Sequence, residues 1–189
     1  GNGGVAVAFF GDGASNQGTT FEALNLASVW ILPCIFVPEN NGFAESTDAR
    51  FSVAFEDIAI RAKGFGMPGV TVDGHDFFAV HAAMAEATER ARSGGGPSMI
   101  ECKLDRFFGH FEGDNQNYRP KNEVKDLREN KDCIKRFAGT LLSDTEVKAT
   151  DLEAIDADVK ALIDEAVEKA IAAPDPTIED LTTDVYIKY

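Results

Sequence analysis

The sequence is poor in cysteine and has no long apolar runs, and each scarcity excludes a class of protein. Its three cysteines, Cys34, Cys102 and Cys133, are odd in number and far apart. This pattern excludes a disulfide scaffold and any zinc-type spacing, and it predicts reduced thiols in an intracellular protein. No apolar run reaches the roughly 18–20 residues that a transmembrane helix needs, so we expect no membrane-spanning segment.

Basic residues are also few, because 18 Lys and Arg stand against 32 Asp and Glu, which gives a formal net charge of −14. Most of the acidic excess lies between residues 143 and 184, where 13 acids accompany three bases. An acidic surface argues against nucleic-acid binding and against contact with an anionic membrane. A solvated acidic helix is the favoured interpretation of this segment.

The first hundred residues alternate between short apolar runs and segments with helical spacing. The runs predicted as strands are 5–10, 33–41, 69–74 and 97–104, and the predicted helices are 19–30, 55–66 and 76–96. Such alternation predicts βαβ units with parallel strands and right-handed crossovers. The predicted fold class is therefore α/β, a parallel sheet with flanking helices. The first strand is apolar or small at nearly every position and is predicted to be buried.

The pattern changes after residue 104. Residues 105–120 mix aromatic and charged side chains without clean periodicity, which predicts a long loop of the kind that often carries function. Beyond it, 122–142 and 150–173 predict helices, and 182–186 predict an edge strand or an arm. We therefore divide the chain into an α/β domain over 1–120 and a C-terminal helical extension over 121–189.

Polar residues follow the first two predicted strands. The Gly-Asp-Gly stretch 11–13 sets Asp12 between two glycines, and Asn40 and Asn41 end the second strand. Ligands of open parallel sheets bind at the carboxyl ends of strands. A carboxylate and an amide oxygen are ligands of the Mg²⁺ type, and the helix beginning near Gly18 favours a phosphate. Each motif alone is common in turns, but together they indicate a cation that holds a phosphorylated ligand.

The two motifs together resemble the thiamine diphosphate-binding signature. The stretch GDGASNQGTTFEALNLASVWILPCIFVPENNGFA (11–44) is similar to the alpha subunit of the decarboxylating component of 2-oxo acid dehydrogenase complexes. The resemblance continues through VDGHD (72–76), GPSMIE (96–101), RFFGHFEGD (106–114) and YR (118–119), and it covers residues 5 to about 135. The GHFEGD segment resembles the acetoin-cleaving branch of this family more than the pyruvate branch.

The resemblance implies a set of Mg²⁺ ligands and cofactor contacts. Asp12 and Asn41 would ligate the metal through their side chains, and Phe43, where the family often has Tyr, would do so through its backbone carbonyl. The implied contacts with thiamine diphosphate come from the same three residues and from Gly11, Gly13, Ala14 and His110. Of these, Gly13 and Ala14 would contact the diphosphate through backbone N–H groups.

His110 is the catalytic residue that the resemblance implies, because it would approach the cofactor from the long loop. By its surroundings alone, a packed loop residue among aromatic side chains is the favoured interpretation of this histidine. Two positions depart from the family pattern. Phe108 stands where many members have a second histidine. Phe111 stands where many mitochondrial members have a phosphorylated serine, which excludes control by phosphorylation at that position.

The resemblance implies a thiamine diphosphate-dependent oxidoreductase that cleaves acetoin or oxidatively decarboxylates a 2-oxo acid and transfers the acyl unit to lipoyl. The implied partners are a beta subunit in an α2β2 heterotetramer, a lipoyl-bearing transacylase and a small-molecule substrate. A bacterial-type cytoplasmic complex is expected rather than a mitochondrial one. Family members carry further sequence before the Gly-Asp-Gly strand, so this chain alone is expected to be inactive. The alternatives are a non-catalytic assembly module and a transketolase-like enzyme. The 106–114 loop argues against the transketolase-like enzyme.

Overall fold

The computed structural model describes residues 3–184. Its strands are β1 (Ala6–Gly11), β2 (Cys34–Asn40), β3 (Phe43–Ala44), β4 (Thr47–Asp48), β5 (Gly69–Asp73) and β6 (Ser98–Lys103). Four of them form a parallel sheet in the order β1-β2-β6-β5, and β3 and β4 form a small antiparallel pair. Helices α1 (Gly18–Val29) and α2 (Phe77–Arg92) and a 3₁₀ helix over Ile58–Phe65 flank the sheet. The predicted α/β class with a parallel sheet is confirmed.

The hydrophobic core lies on both faces of the two central strands, β2 and β6. On one face, Phe36 and Met99 pack with α1 and the 3₁₀ helix. On the other face, Ile35 and Ile100 pack with α2. Strands that are covered on both faces need apolar residues at nearly every position, which explains why both runs are so uniformly apolar.

The first strand corrects one prediction. β1 is not buried: Phe9 is 65% exposed and Val7 is 40% exposed. Within residues 3–184, β1 pairs only with β2 and so forms one edge of the sheet. An apolar run does not reveal whether a strand has one neighbour or two, and this is why the sequence suggested a buried strand.

Helix α2 is fixed by a local cap, and the 3₁₀ helix is fixed by a close approach to the start of β5. The Asp76 carboxylate caps α2 by accepting hydrogen bonds from the N–H groups of Phe78 and Ala79. Gly69 at the start of β5 allows a close approach, because a Cβ there would lie 2.3 Å from the carbonyl oxygen of Ala59. The 3₁₀ helix therefore sits directly against the sheet.

The C-terminal part is helical, as predicted, with a break inside the first predicted helix. α3 (Glu123–Asn130) and α4 (Cys133–Asp144) are separate helices. The Asp132 carboxylate accepts the N–H groups of Ile134 and Lys135 and so begins a new helix. α5 (Ala149–Ala172) follows. Among the helices of residues 3–184, none combines the length and apolar character needed to cross a membrane.

The chain forms two compact units, Gly1–Gly139 and Thr140–Tyr189. The second unit contains α5, which carries short-range ion pairs such as Lys160–Asp164. Our division after residue 120 stays a prediction about the domains. Residues 182–184 form no strand, and residues 185 and 186 of the predicted edge strand or arm lie outside the described residues.

Candidate functional site

The ends of β1 and β2 lie side by side at the carboxyl edge of the sheet. Gly11 pairs in register with Glu39. Asp12, which follows β1, and Asn40, which ends β2, therefore lie at the same level of the sheet. The fold brings together the two polar motifs at the edge where parallel sheets bind ligands.

Asp12 is a buried carboxylate without a hydrogen-bond partner. It is 1% exposed, and within residues 3–184 neither side-chain oxygen has such a partner. Burial raises the pKa of this carboxyl, while the nearby N–H groups of Asp12 and Gly13 and the charge of Arg106 lower it in part. Those N–H groups lie close without reaching hydrogen-bond geometry. A lone buried charge is costly, so the site calls for a cation.

Arg61 holds the turn that carries Asp12. The Ser15 hydroxyl donates to the Asp12 carbonyl at 2.6 Å. The guanidinium of Arg61 donates to the Ser15 carbonyl at 2.7 Å and to Asn16 Oδ1 at 2.8 Å. It also lies 5.5 Å from the centroid of the Phe21 ring. The position of the carboxylate is thus set by neighbours that leave its oxygens free.

Gly13 brings this turn against the residues that follow Asn41. A Cβ on Gly13 would lie 2.6 Å from the Cβ of Ala44, so only glycine fits there. Asn41 Oδ1 accepts the N–H of Phe43 at 3.0 Å, which folds the chain back after β2. The structure therefore brings together the turn of Asp12, Asn41 and Phe43. Their roles as ligands remain predictions.

Gly11 and Ala14 complete the turn between β1 and α1. Gly11 is the last residue of β1, and Ala14 begins a 3₁₀ turn over Ala14–Asn16. The Ala14 carbonyl accepts the Thr20 hydroxyl at 2.8 Å, which ties the turn to the first turn of α1. Helix N-termini favour anions, so this backbone is suited to a phosphate.

The predicted donor set consists of oxygen atoms only, which suits a hard divalent cation such as Mg²⁺. Within the described part of the chain, no group of three or more His, Cys, Asp or Glu residues could hold a metal ion. The predicted set has one carboxylate, one amide and one backbone carbonyl. Mg²⁺ is typically held by one or two carboxylates, with water and phosphate oxygens filling the remaining positions. The unpaired oxygens of Asp12 provide that carboxylate.

Asp114 anchors the loop over residues 105–120. Its carboxylate accepts the Tyr118 hydroxyl at 2.6 Å and the backbone N–H groups of His110 at 2.8 Å and Gln116 at 2.9 Å. The pKa of Asp114 is lowered to about 2, mainly by the hydrogen bond from the Tyr118 hydroxyl and next by these two N–H donors. The predicted loop is confirmed as a segment without helix or strand, and it has an internal hydrogen-bond centre.

Two arginines join this loop to the rest of the site. Arg119 donates to the carbonyl of Arg106 at 2.6 Å and to Glu123 of α3 at 3.0 Å. Arg106 in turn donates to the carbonyl of Glu45 at 2.9 Å, just after β3. The Arg119 guanidinium also lies 5.7 Å from the centroid of the Phe43 ring. The loop is therefore fixed beside the residues that follow Asn41.

His110 lies at the surface of this loop, beside a small cavity. The cavity has a volume of about 240 Å³ and is also lined by Glu45 and Tyr118. The ring is half-exposed, and its Nε2 lies 3.8 Å from Glu45 Oε1. Phe108, at the position where many family members have histidine, stacks 4.5 Å below the guanidinium of Arg128. His110 is therefore not packed among the aromatic side chains and stays open to a ligand.

A larger cavity, of about 680 Å³, extends from Asn41 along the ends of β5 and β6. His75 lies in its wall, and its Nε2 is 2.8 Å from Asp105 Oδ2. Lys131 reaches the same carboxylate oxygen at 3.0 Å. Ligand space therefore exists next to Asn41 at the carboxyl edge of the sheet.

Neutralising Asp114 is expected to loosen the loop. Asp114→Asn removes the charge that three donors share, so trypsin should cleave after Arg106 several times faster than in the parent. The folded pKa of Asp114 is depressed, so its contribution is present above the ordinary value of about 3.9 and is lost as pH falls towards about 2. The cleavage rate is followed by mass spectrometry of timed digests at neutral pH.

Glu112→Gln is the matched control, because it removes the same charge from an exposed position of the same loop. It should leave the cleavage rate unchanged. Equal rates for Asp114→Asn and the parent would show that the carboxylate does not anchor the loop.

Three residues of the site escaped the sequence analysis. Arg61 acts across 46 positions, and Glu101 contacts residues 42 and 61 positions away, so no local pattern shows either role. Asp114 differs, because its partners lie two to four positions away. Its bond to the N–H of Gln116 is the contact that an aspartate in a turn often makes two residues on, so the local sequence did carry a signal for this anchor.

A parallel sheet with an unpaired buried carboxylate at its carboxyl edge defines a parallel α/β protein with a candidate cation site. Comparison with known proteins gives the family. The family model described as dehydrogenase E1 component matches residues 1–179. The chain belongs to this family.

Relatives of known name agree with this assignment. The chain is 57% identical over 189 residues to the alpha subunit of acetoin:2,6-dichlorophenolindophenol oxidoreductase of Cupriavidus necator, covering 100% of this chain and 57% of that protein. It is 49% identical to the Bacillus subtilis protein of the same name, covering 98% and 55%. It is 38% identical to the pyruvate dehydrogenase E1 component subunit alpha of Rhizobium meliloti, covering 99% and 54%. The chain spans a little over half the length of these relatives.

Proposed function

We propose that this chain is the Mg²⁺- and diphosphate-binding part of a thiamine diphosphate-dependent E1 alpha subunit. The observation that carries the proposal is Asp12, a carboxylate buried at the carboxyl edge of the sheet with both oxygens unpaired. In a turn that binds no ligand, a buried charge without a partner would only destabilise the fold. A divalent cation bridging to a diphosphate gives the carboxylate a counter-charge.

In this proposal Asp12 and Asn41 hold the cation by side chain, and Phe43 holds it by its carbonyl. Gly11, Gly13 and Ala14 form the turn whose backbone receives the diphosphate. Bound thiamine diphosphate would supply the carbanion chemistry that breaks the bond beside a carbonyl group, and the protein positions it. The residues of this chain mainly anchor and orient the cofactor, and they keep the anchoring carboxylate away from water.

His110 is the proposed catalytic residue. Its backbone N–H is fixed by Asp114 at 2.8 Å, and its ring borders the 240 Å³ cavity. A fixed backbone with an open ring suits a group that exchanges a proton or stabilises charge on a bound substrate. The ring makes only a loose contact with Glu45, since 3.8 Å separates its Nε2 from Glu45 Oε1.

Acetoin is the favoured substrate, with 2-oxo acids as the alternative. Two relatives of higher identity are named for acetoin, and pyruvate dehydrogenase subunits follow at 38%. We further propose a beta subunit in an α2β2 assembly and a lipoyl-bearing transacylase that takes the acyl unit. The support is that the relatives are named as alpha subunits, and one of them as the alpha subunit of an E1 component. A cytoplasmic location is part of the same proposal.

Removal of the divalent cation tests the proposal in the full-length protein assembled with its beta subunit. Each charge-assisted contact through the cation is worth about 1.5–3 kcal/mol. Thiamine diphosphate should therefore bind at least about 100-fold more weakly when Mg²⁺ is chelated, and added Mg²⁺ should restore binding. Isothermal titration with and without chelator measures this difference.

Chelation with Ca²⁺ added back is the control for chelator effects, since Ca²⁺ also takes oxygen ligands. Equal affinity with and without a divalent cation would refute the cation site. If the alpha and beta subunits assemble fully but bind no thiamine diphosphate under either condition, the result would favour the non-catalytic assembly module instead.

A further inference from the structure

Glu101 is a fully buried carboxylate that lies one strand away from the candidate cation site. It sits on β6 with 0% exposure. It lies on the same face as Met99, where the 3₁₀ helix over Ile58–Phe65 covers the sheet. A charge in such a place is retained only when donors satisfy it on every side. The proposed function gives Glu101 no part in binding or chemistry.

Four donors converge on Glu101 and satisfy both of its oxygens. Oε1 accepts Asn40 Nδ2 at 2.7 Å and lies 3.0 Å from Lys103 Nζ. Oε2 accepts the backbone N–H of Ala59 at 2.7 Å and receives the Thr71 hydroxyl at 3.4 Å. Lys103 is held in turn by Asp57 at 3.1 Å. The carboxylate therefore sits in a rigid frame built from β5, β6 and the 3₁₀ helix.

The consequence for Asn40 is a fixed amide orientation. An ionised carboxylate only accepts hydrogen bonds, so the NH₂ group of Asn40 must face Glu101. Its carbonyl oxygen then faces the other way and accepts the N–H of Gly42 at 3.2 Å. Gly42 has φ +80°, so the chain reverses there, between Asn41 and Phe43. If the amide turned over, it would present a donor to the Gly42 N–H and open the turn.

We propose that Glu101 is a positioning residue for the divalent cation, acting through the Asn40 amide on the turn that carries Asn41 and the Phe43 carbonyl. This inference rests on the proposed function, because it takes Asn41 and Phe43 as the cation ligands. Glu101 touches neither of them. It orients Asn40, Asn40 closes the turn onto Gly42, and the turn presents the ligands.

The test is a reciprocal exchange in the full-length protein assembled with its beta subunit. Glu101→Gln places an NH₂ group where Asn40 Nδ2 or the Ala59 N–H must donate. The Mg²⁺ concentration for half-maximal thiamine diphosphate binding should then rise about 10–100-fold, the usual effect of losing such a supporting contact. Asn40→Asp alone sets two carboxylates against each other and should also weaken Mg²⁺ binding.

The double variant Asn40→Asp/Glu101→Gln should recover most of the parental Mg²⁺ affinity. The new amide at position 101 can donate to the new carboxylate at position 40, whose second oxygen still accepts the Gly42 N–H. The total charge of the pair is unchanged. Thr71→Val is the matched control, because it removes a donor from the Glu101 oxygen that faces away from Asn40, and it should leave the Mg²⁺ requirement unchanged.

Melting temperatures in chelator separate positioning from folding. Among the four variants, the Mg²⁺ requirement should rise only where the hydrogen bond between residues 40 and 101 is lost. It should not correlate with the melting temperature. It is overturned if Glu101→Gln folds and keeps the parental Mg²⁺ requirement, or if the double variant is no better than the worse single variant. If Glu101→Gln does not fold, Asn40→Ala cuts the same link, and a parental Mg²⁺ requirement for it overturns the proposal.

A parallel measurement on Asp12→Asn distinguishes the two levels of inference. If Asp12→Asn keeps its Mg²⁺ requirement, the proposed cation site itself is wrong. If Asp12→Asn loses Mg²⁺ binding while the Glu101 and Asn40 variants keep it, only the positioning role is wrong.

Discussion

Asp12→Asn in the full-length protein is expected to abolish Mg²⁺-dependent binding of thiamine diphosphate and, in the absence of Mg²⁺, to raise the stability of the fold. The loss in affinity should exceed about 100-fold, because the variant removes the one carboxylate of the set and with it charge-assisted contacts of about 1.5–3 kcal/mol each. The gain in stability arises because the parental carboxylate is buried at 1% exposure with no partner. Replacing a charge of this kind with a neutral amide should add about 1 kcal/mol or more to the free energy of unfolding.

The stability gain has a definite pH dependence. Burial raises the folded pKa of Asp12, so the stability contributed by its neutral form is present below the unfolded pKa of about 3.9 and is lost as pH rises through the folded pKa. The advantage of Asp12→Asn should therefore be full above the folded pKa and shrink as pH falls below it. Denaturant unfolding in chelator at a series of pH values measures it.

Glu22→Gln is the matched control for Asp12→Asn, because it removes one charge from an exposed position on the neighbouring helix α1. It should change neither Mg²⁺ binding nor stability in this way. An Asp12→Asn protein that binds the cofactor as the parent does would rule out Asp12 as a ligand. One that is less stable than the parent in chelator would show that the buried carboxylate has a stabilising partner.

His110→Ala is expected to lower kcat by about 10²–10⁴-fold, the usual contribution of an acid–base group, while changing cofactor affinity by less than about tenfold. The structural reason is the separation of the two tasks. His110 borders the small cavity in the 105–120 loop, whereas the buried carboxylate that anchors the cation belongs to the turn after β1. Steady-state kinetics and cofactor titration of the assembled enzyme give the two quantities.

His81→Ala is the control for this experiment. His81 is an exposed residue of α2 that stacks on Phe77, so its removal should leave kcat unaltered. A weaker cofactor Kd with kcat restored at saturating cofactor would reduce His110 to a phosphate contact. If His110→Ala and His81→Ala behave alike, His110 is only a loop residue.

Features of the fold that depend on local patterns could be predicted from the sequence. The parallel sheet followed from apolar runs that alternate with helical spacing. The nearness of Asp12 and Asn41 followed from their places after neighbouring strands. Local patterns do not report neighbours, however. β1 was predicted to be buried, but it is an edge strand. The prediction was wrong because nothing in the six residues of β1 records which strands lie beside it.

The parts of the site that were not predicted depend on contacts distant in sequence. Glu101 and Asn40 meet across 61 positions, and Arg61 reaches Ser15 across 46. Such pairs exist only once the sheet order β1-β2-β6-β5 is formed. The long predicted helix over 122–142 failed for the opposite reason, since Asp132 is a local N-cap signal within a helical pattern that otherwise continues.

The open edge of β1 has a practical consequence for anyone who produces this chain on its own. Val7 and Phe9 are exposed on a strand whose outer side has no neighbour among residues 3–184. Unprotected strand edges with apolar side chains are templates for intermolecular pairing. Concentrating the isolated chain therefore favours aggregates, in spite of its net charge of −14. Its handling calls for dilute conditions, or for co-expression with sequence that covers this edge.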